Sequence, residues 1–343
     1  MMQRFLVLLL TLAVLGAVVV KELRHRWAAP LLVPEQGFIL TVTPGDSLRI
    51  VVDTLHKAEV LAYPSLAILY GRWTGLDQQI KPGEYLLPPN STAESMLMLL
   101  QSGDVTQYQV TLPEGITLAM ALDILTQQEQ LKKILEGPTD PRILEMIKPQ
   151  SHAEGLFFPD TYHYVRSDSD WSILQRAHSA MSAVLKHEWD VRASPLPYET
   201  PYEALIMASI IERETGLSEE RGHISGVFVR RLQQGMLLQT DPTVIYGLGV
   251  EFDGNLQRKH LSEDSNSYNT YRHPGLPPTP IALPGQAAIH AALHPDAGNA
   301  LYFVARGDGG HVFSETLTEH NQAVRQYQLQ RNKDYSSTPE QSR

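Results

Sequence analysis

Apolar residues recur along this chain at two spacings, and a stretch without any charge precedes them. From Phe5 to Val20 no charged residue interrupts the apolar run, and Lys21, Arg24 and Arg26 follow it. At about 1.5 Å per residue a helix of that length spans roughly 24 Å, slightly short of a bilayer's hydrocarbon core. Leu23 and Trp27 extend it, with the basic side chains reaching the interface. A cleaved signal peptide is the competing reading, because Ala13 to Ala17 contains suitable small residues. Apolar Val18 to Val20 follow that candidate cleavage site, so the pattern favours an uncleaved single-span anchor. Beyond it, Phe38-Ile-Leu-Thr-Val-Thr predicts a strand and Pro44-Gly45-Asp46 a turn. Leu48, Val51, Val52 and Leu55 then fall at helical spacing, a second short helix covers Tyr63 to Tyr70, and Pro82-Gly-Glu-Tyr-Leu-Leu returns as a strand.

The rest of the chain mixes helices with short strands. Ser91-Thr-Ala-Glu94 has the form of a capping box opening a helix through Leu100, which Gly103 ends. Gln107 to Leu112 alternates as a strand, and Thr117 caps a helix whose apolar residues include Met120, Leu122 and Leu125. Residues 128–150 are largely polar, with loops at Gly137-Pro138 and Asp140-Pro141, and Trp171 to Trp189 forms an amphipathic helix. Thr200-Pro-Tyr-Glu-Ala-Leu-Ile-Met-Ala-Ser-Ile-Ile-Glu-Arg-Glu-Thr-Gly216 carries a helix start in Thr200, Pro201 and Glu203, and a stop in Gly216. Another helix covers Glu219 to Gln234, with Ile224, Val227, Phe228 and Leu232 on one face. A polar loop from Gln239 leads into a short helix, and Ser267 to Gly285 is long, irregular and rich in proline and tyrosine, as functional loops are. Tyr302-Phe-Val-Ala and His311-Val-Phe flank Gly307 to Gly310 as a hairpin, and the tail beyond Asp334 is polar. The pattern predicts an α+β protein.

Composition narrows the chemistry. The chain of 343 residues has room for two or three domains. A formal charge of −10 argues against nucleic acid as a partner. With no cysteine, disulfides and thiolate metal sites are excluded. The sequence contains no G-x-S-x-G, P-loop or dinucleotide fingerprint. Gly45-Asp46-Ser47-Leu48 and Asp308-Gly-Gly-His311 spell the letters of a serine esterase family, but the regular strand–helix alternation of its parallel sheet is missing. His290 and His294 have the spacing of a helical metal pair without the zincin glutamate and with no third ligand suggested, so no metal is expected. Carboxylates, hydroxyls and amides remain.

The most telling carboxylate is Glu214, at the end of an almost wholly apolar helix, with Glu212 before it. Apolar neighbours and the negative end of the helix dipole both disfavour its charged form, which suits a proton donor near neutral pH. The alternative is a solvated helix end paired with an arginine. The segment Glu154-Gly-Leu-Phe-Phe-Pro-Asp160-Thr-Tyr162-His-Tyr164 is either a packed loop or one wall of a sugar site, where aromatic faces stack on pyranose rings.

Six motifs decide between these readings. Met207 to Thr215, Leu238-Gln-Thr-Asp-Pro-Thr-Val-Ile-Tyr-Gly247, Tyr268-Asn-Thr-Tyr271, Gly275-Leu-Pro-Pro278, Leu301-Tyr-Phe-Val-Ala305 and Gly309-Gly-His-Val-Phe313 occur in family order. Together they resemble the MltG (YceG-like) endolytic murein transglycosylases, from the anchor to about Gln328. Thr-Val-Thr-Pro-Gly-Asp-Ser-Leu48 and the elements after it resemble a LysM module, a small βααβ glycan-binding fold. The resemblance implies residues 1–27 as cytoplasmic tip and transmembrane anchor, 36–105 as the LysM-like module, 106–330 as the catalytic domain and 331–343 as a tail. It implies an enzyme of the outer face of the bacterial inner membrane, with a periplasmic catalytic domain, against the charge bias after the span. The implied reaction cleaves the β-1,4 bond between N-acetylmuramic acid and N-acetylglucosamine in nascent glycan strands and leaves 1,6-anhydro ends. Glu214 maps onto the family's catalytic acid, and no cofactor is implied. Gln239, Thr240, Asp241, Tyr268 and Asn269 are candidates for orienting substrate or stabilising charge, with Glu212, Glu154 and Asp160 supporting. Glycan strands, the bilayer and peptidoglycan synthases are the implied partners. A lysozyme-like hydrolase using a second acid such as Asp241 or Asp160, and a glycan-binding scaffold without turnover, are the alternatives.

Overall fold

The computed structural model describes residues 2–329, which fall into two compact units. One unit runs to Tyr108 and includes His163–Asp168; the other comprises Gln109–Tyr162 and the chain from Ser169.

The first unit opens with helix α1 (Met2–Ala28). Its aliphatic side chains from Leu9 to Val20 are exposed. Among the described residues no helix is long and apolar enough to cross a membrane. Part of the charge-free run (Phe5, Val7 and Leu8) lies outside the described side chains, as the polar tail from residue 331 lies outside the described residues. Strand β1 (Phe38–Val42), helices α2 (Leu48–Lys57) and α3 (Pro64–Thr74), and strand β2 (Gly83–Leu87) follow in βααβ order. β1 and β2 pair antiparallel, Phe38 opposite Leu87 and Val42 opposite Gly83. The spacing of Leu48, Val51, Val52 and Leu55 puts all four on the buried face of α2. They join Leu40, Tyr85, Leu87 and the inward residues of α4 (Ala93–Ser102) in one core. The cap of α4 is one residue later than the sequence pattern predicted: Thr92 and Ser95 exchange the capping bonds, not Ser91 and Glu94. The hydroxyl of Ser91 donates instead to the carbonyl of Pro88 at 2.7 Å, closing the preceding turn.

Strands β3 (Tyr108–Thr111) and β4 (Thr161–Tyr164) pair with each other, and the unit boundaries fall within them. In the second unit, α5 (Leu118–Thr126) is capped by Thr117, whose side chain accepts from the Met120 amide. That cap sets the phase of the helix, so Leu118, Ala121, Leu122 and Leu125 point inward and Met120 is exposed. Helices α6 (Pro141–Met146) and α7 (Asp170–Asp190) precede α8 (Pro201–Glu214). After α8 come α9 (Arg221–Gln233), α10 (Asp241–Leu248), the short α11 (Arg258–Leu261) and α12 (Gln286–Leu293). The antiparallel hairpin β5 (Tyr302–Ala305) and β6 (His311–Ser314), then α13 (Leu317–Val324), complete the unit.

Helix α8 is its axis. Ala204 to Ile211 are buried without a break, because α7, α9, α10 and α12 all pack on it. An apolar sequence on every face is what such a position demands. Its start is as the sequence predicts, a capping box between Thr200 and Glu203. Its end is not. Thr215 terminates the helix in an extended conformation (φ −144°, ψ 139°), and Gly216 is not among the glycines at positive φ. A β-branched residue favours that extended geometry, and the Thr215 hydroxyl accepts the Leu217 amide at 3.0 Å, so no left-handed glycine is needed.

One polar group lies inside this apolar helix. The hydroxyl of fully buried Ser209 donates to the Ile206 carbonyl at 2.7 Å and accepts the Ile281 amide at 3.0 Å. It thereby holds the irregular segment before α12 against α8. Ser209→Ala should cost about 1–3 kcal/mol of unfolding free energy, because the buried Ile281 amide loses its acceptor; urea denaturation of wild type and variant measures the difference.

Candidate active site around Glu214

Glu214 is the last residue of α8, and Thr240 is the residue before α10. The loop Leu238–Thr240 brings them together. Gln239 sits at φ 53°, and its amide donates to the Thr270 carbonyl at 3.1 Å, while the Thr240 amide donates to the Thr270 hydroxyl at 3.1 Å. So fixed, the buried Thr240 spends its hydroxyl on Oε1 of Glu214 and not on capping α10. Burial pushes the Glu214 carboxyl up to about 7, assisted by nearby Asp241 and opposed by the Thr240 bond and, more weakly, by Arg231.

Glu214 lines a cavity of about 400 Å³ together with Gln239, Asp241, Tyr271, Arg231 and His311. Tyr271 donates its hydroxyl to Oδ1 of Asp241 at 2.6 Å. Arg231 is buried, donating to the carbonyls of Leu237, Leu238 and Leu301 at 3.2, 2.8 and 2.6 Å, and its guanidinium lies 5.1 Å from the Tyr302 ring centre. It therefore ties the loop carrying Gln239 and Thr240 to the strand β5 side of the cavity. His311 is held from behind by Glu220, whose carboxylate takes both the His311 amide at 2.8 Å and Nδ1 at 2.7 Å. His311 thus pairs with Glu220, while Asp308 is engaged by Arg306 and the Gly310 amide; the esterase letters Asp308 to His311 form no dyad.

A second cavity, of about 640 Å³, lies across the wall made by the end of α8 and the start of α10. Arg213 and Pro242 face it, whereas their neighbours Glu214 and Asp241 face the first. Glu154 lines this second cavity, largely buried, accepting the Leu118 amide at 2.9 Å and the Tyr246 hydroxyl at 3.2 Å. Burial raises it too, to about 7, against those hydrogen bonds and that of its neighbour's amide. Tyr246 and Tyr268 meet edge to face with ring centres 5.0 Å apart.

The other sequence candidates are more scattered. Glu212 is not a solvated helix end: it is buried, accepts the Gly285 amide at 3.0 Å and faces Arg221 at 3.5 Å. Burial pushes its carboxyl above the usual range. Tyr268 bonds Thr279 at 2.8 Å. Asn269 is fully buried, its amide donating to the carbonyls of His260, Leu261 and Glu263 and its oxygen accepting the Tyr271 amide at 3.0 Å, so its bonding capacity goes to shaping the loop. Asp160 is exposed and accepts the Thr161 amide at 2.7 Å, and its carbonyl accepts the Leu112 amide at 3.0 Å. Arg231, Tyr271 and His311 were missed as site residues. Arg231 had a signal: it falls three and four residues after Phe228 and Val227, on the apolar stripe of α9. For His290 and His294 the fold supplies a third neighbour that spacing could not, Glu188 of α7.

Because Glu214 binds its proton more tightly folded than unfolded, its burial penalises the folded state as pH rises from about 4.5 through about 7. Glu214→Gln removes that penalty. The variant should gain roughly 3 kcal/mol over wild type at pH 8, with the difference vanishing near pH 4, measured by denaturation at both pH values.

Residues 40–326 match the model of the YceG-like family. The chain is 30% identical over 308 residues to a protein of Bacillus subtilis named endolytic murein transglycosylase, covering 84% of each. It is 26% identical to a Streptococcus pneumoniae protein of the same name, over 83% of this chain and 57% of that one. In fold it is similar to the crystal structure of a YceG-like protein of Listeria monocytogenes, with a TM-score of 0.54 and 29% identity, over 84% of this chain and 99% of the other. With a match over most of its length, and with Glu214 at the end of the buried α8, the chain belongs to the YceG-like family.

Proposed function

We propose that this protein is an endolytic peptidoglycan lytic transglycosylase in which Glu214 is the catalytic acid and then the base. The observation that carries the reading is a single carboxyl, poised near neutrality by burial, in a polar cavity beside Thr240, Asp241 and Tyr271. Protonated Glu214 gives its proton to the glycosidic oxygen as the bond from C1 of N-acetylmuramic acid breaks. Its carboxylate then takes the proton of that sugar's C6 hydroxyl, whose oxygen bonds to C1. Attack from within the same sugar replaces water, so the proton returns to Glu214 and a 1,6-anhydro end results. Thr240 holds the carboxyl in place by donating to Oε1, and Asp241, braced by Tyr271, offers negative charge to the oxocarbenium-like transition state.

The same reading places the enzyme at the bacterial inner membrane with its catalytic unit periplasmic. The exposed aliphatic residues of α1 followed by Lys21, Arg24 and Arg26 support an anchor, and the βααβ order of the first unit supports a LysM-like glycan-binding module. A chain lacking residues 1–28 should be released from membranes by alkaline carbonate, whereas the full chain should stay with them in a fractionation assay.

Mass spectrometry of glycan ends tests the chemistry. Full-length protein in detergent should convert uncrosslinked peptidoglycan to internal fragments with anhydro ends, one water lighter than hydrolysis products. Glu214→Gln should lower the rate by at least about 10³-fold. Reducing ends would replace this reading with a hydrolase that uses Asp241 as its second carboxylate, and glycan binding without any new ends would leave a scaffold. Since the acid form is the active one, kcat/KM should fall as pH rises through about 7.

A further inference from the structure

A side-chain cluster away from both cavities has the make-up of a metal site. Glu188, near the end of α7, is almost fully buried. His290 lies on α12, and His294 immediately follows that helix. Each of the three offers one donor atom, and these atoms lie within 4.8 Å of one another. Nδ1 of His290 is 2.8 Å from Oε2 of Glu188, and Gln286 orients that carboxylate from its other oxygen at 3.3 Å. The two imidazoles stack, ring centres 4.2 Å apart and planes 16° from parallel, as the i, i+4 spacing dictates.

The surroundings of His294 are the informative part. Its Nε2 is 2.9 Å from the Val191 carbonyl and its Nδ1 is 3.2 Å from the His290 carbonyl. A ring nitrogen held by a backbone carbonyl is the kind of outer contact that orients a metal-ligating histidine. The opening is wet and acidic: it borders a cleft of about 720 Å³ lined also by Glu114, Glu219 and Asp296, with Arg221 the basic group.

We propose that Glu188, His290 and His294 bind a divalent transition metal of the zinc class. Two imidazoles and a carboxylate are the donor set such ions favour, and the open cleft leaves room for water as a further ligand. The metal would take the place of the proton shared by His290 and Glu188 and clamp α7 to α12. Since the Gly285 amide at the start of α12 is bound to Glu212, the clamp would brace the scaffold against which α8 is packed.

The test uses the untagged full chain in detergent, stripped with a chelator and titrated with zinc chloride, beside His290→Ala and His294→Ala. Wild type should bind about one equivalent in competition with a chromophoric chelator, and each variant should bind at least tenfold more weakly. Zinc should raise the melting temperature of wild type and leave that of the variants unmoved. Cobalt(II) should give visible d–d bands with wild type alone. Both histidines are accessible, so circular dichroism of the zinc-free variants should match wild type. Failure of wild type to bind zinc, or equal binding by both variants, overturns the proposal. None of these readouts depends on glycan cleavage.

Discussion

The carboxyl of Glu214, partly buried at the wall of an open cavity, is held there by the hydroxyl of the buried Thr240. Much of the second unit serves that contact. A buried carboxyl survives folding only with a partner, and Thr240 can be the partner only if its loop is held rigid. The holding is done by a small hydroxyl network: Thr243 donates to the Thr240 carbonyl at 2.8 Å, and Thr270 lies 2.9 Å from Thr243 and accepts the Thr240 amide. Arg231 secures the same loop through the carbonyls of Leu237 and Leu238. The Tyr268–Tyr271 segment, shaped by Asn269, completes the enclosure. The apolar character of α8 follows from the same need. A helix that carries an acid into the interior must bury its other faces, and four helices do this.

How much of this could be read beforehand depended on how local each signal was. The start of α8, the phase of α2 and the βααβ order were legible because capping and periodicity are local. The end of α8 was not, because Gly216 is only one way to stop a helix and Thr215 provides another. The cap of α4 slipped by one residue for a similar reason: Ser91 and Thr92 are both competent caps, and the turn at Pro88 claims the first. The desolvation of the Glu214 carboxyl was legible from its apolar neighbours. Its partner Thr240, 26 residues away, was only one of several polar candidates in the Gln239–Asp241 loop until the fold singled it out. Arg231, His311 with Glu220, and Glu188 between two histidines depend on contacts between distant segments, which spacing does not encode.

Glu214 and Asp241 lie in one cavity but at opposite ends of helices. Glu214 closes α8, where the negative end of the dipole disfavours a second negative charge. Asp241 opens α10, where unpaired backbone amides and the positive end of the dipole favour an anion, and Tyr271 donates to it. Helix polarity thus sets the two carboxyls apart, Glu214 as the proposed proton carrier and Asp241 as the proposed counter-charge. Under the proposed reaction that division is sufficient. The proton donor also receives the proton back, the fixed anion faces the developing positive charge, and the nucleophile arrives with the substrate, so no third group has to activate water.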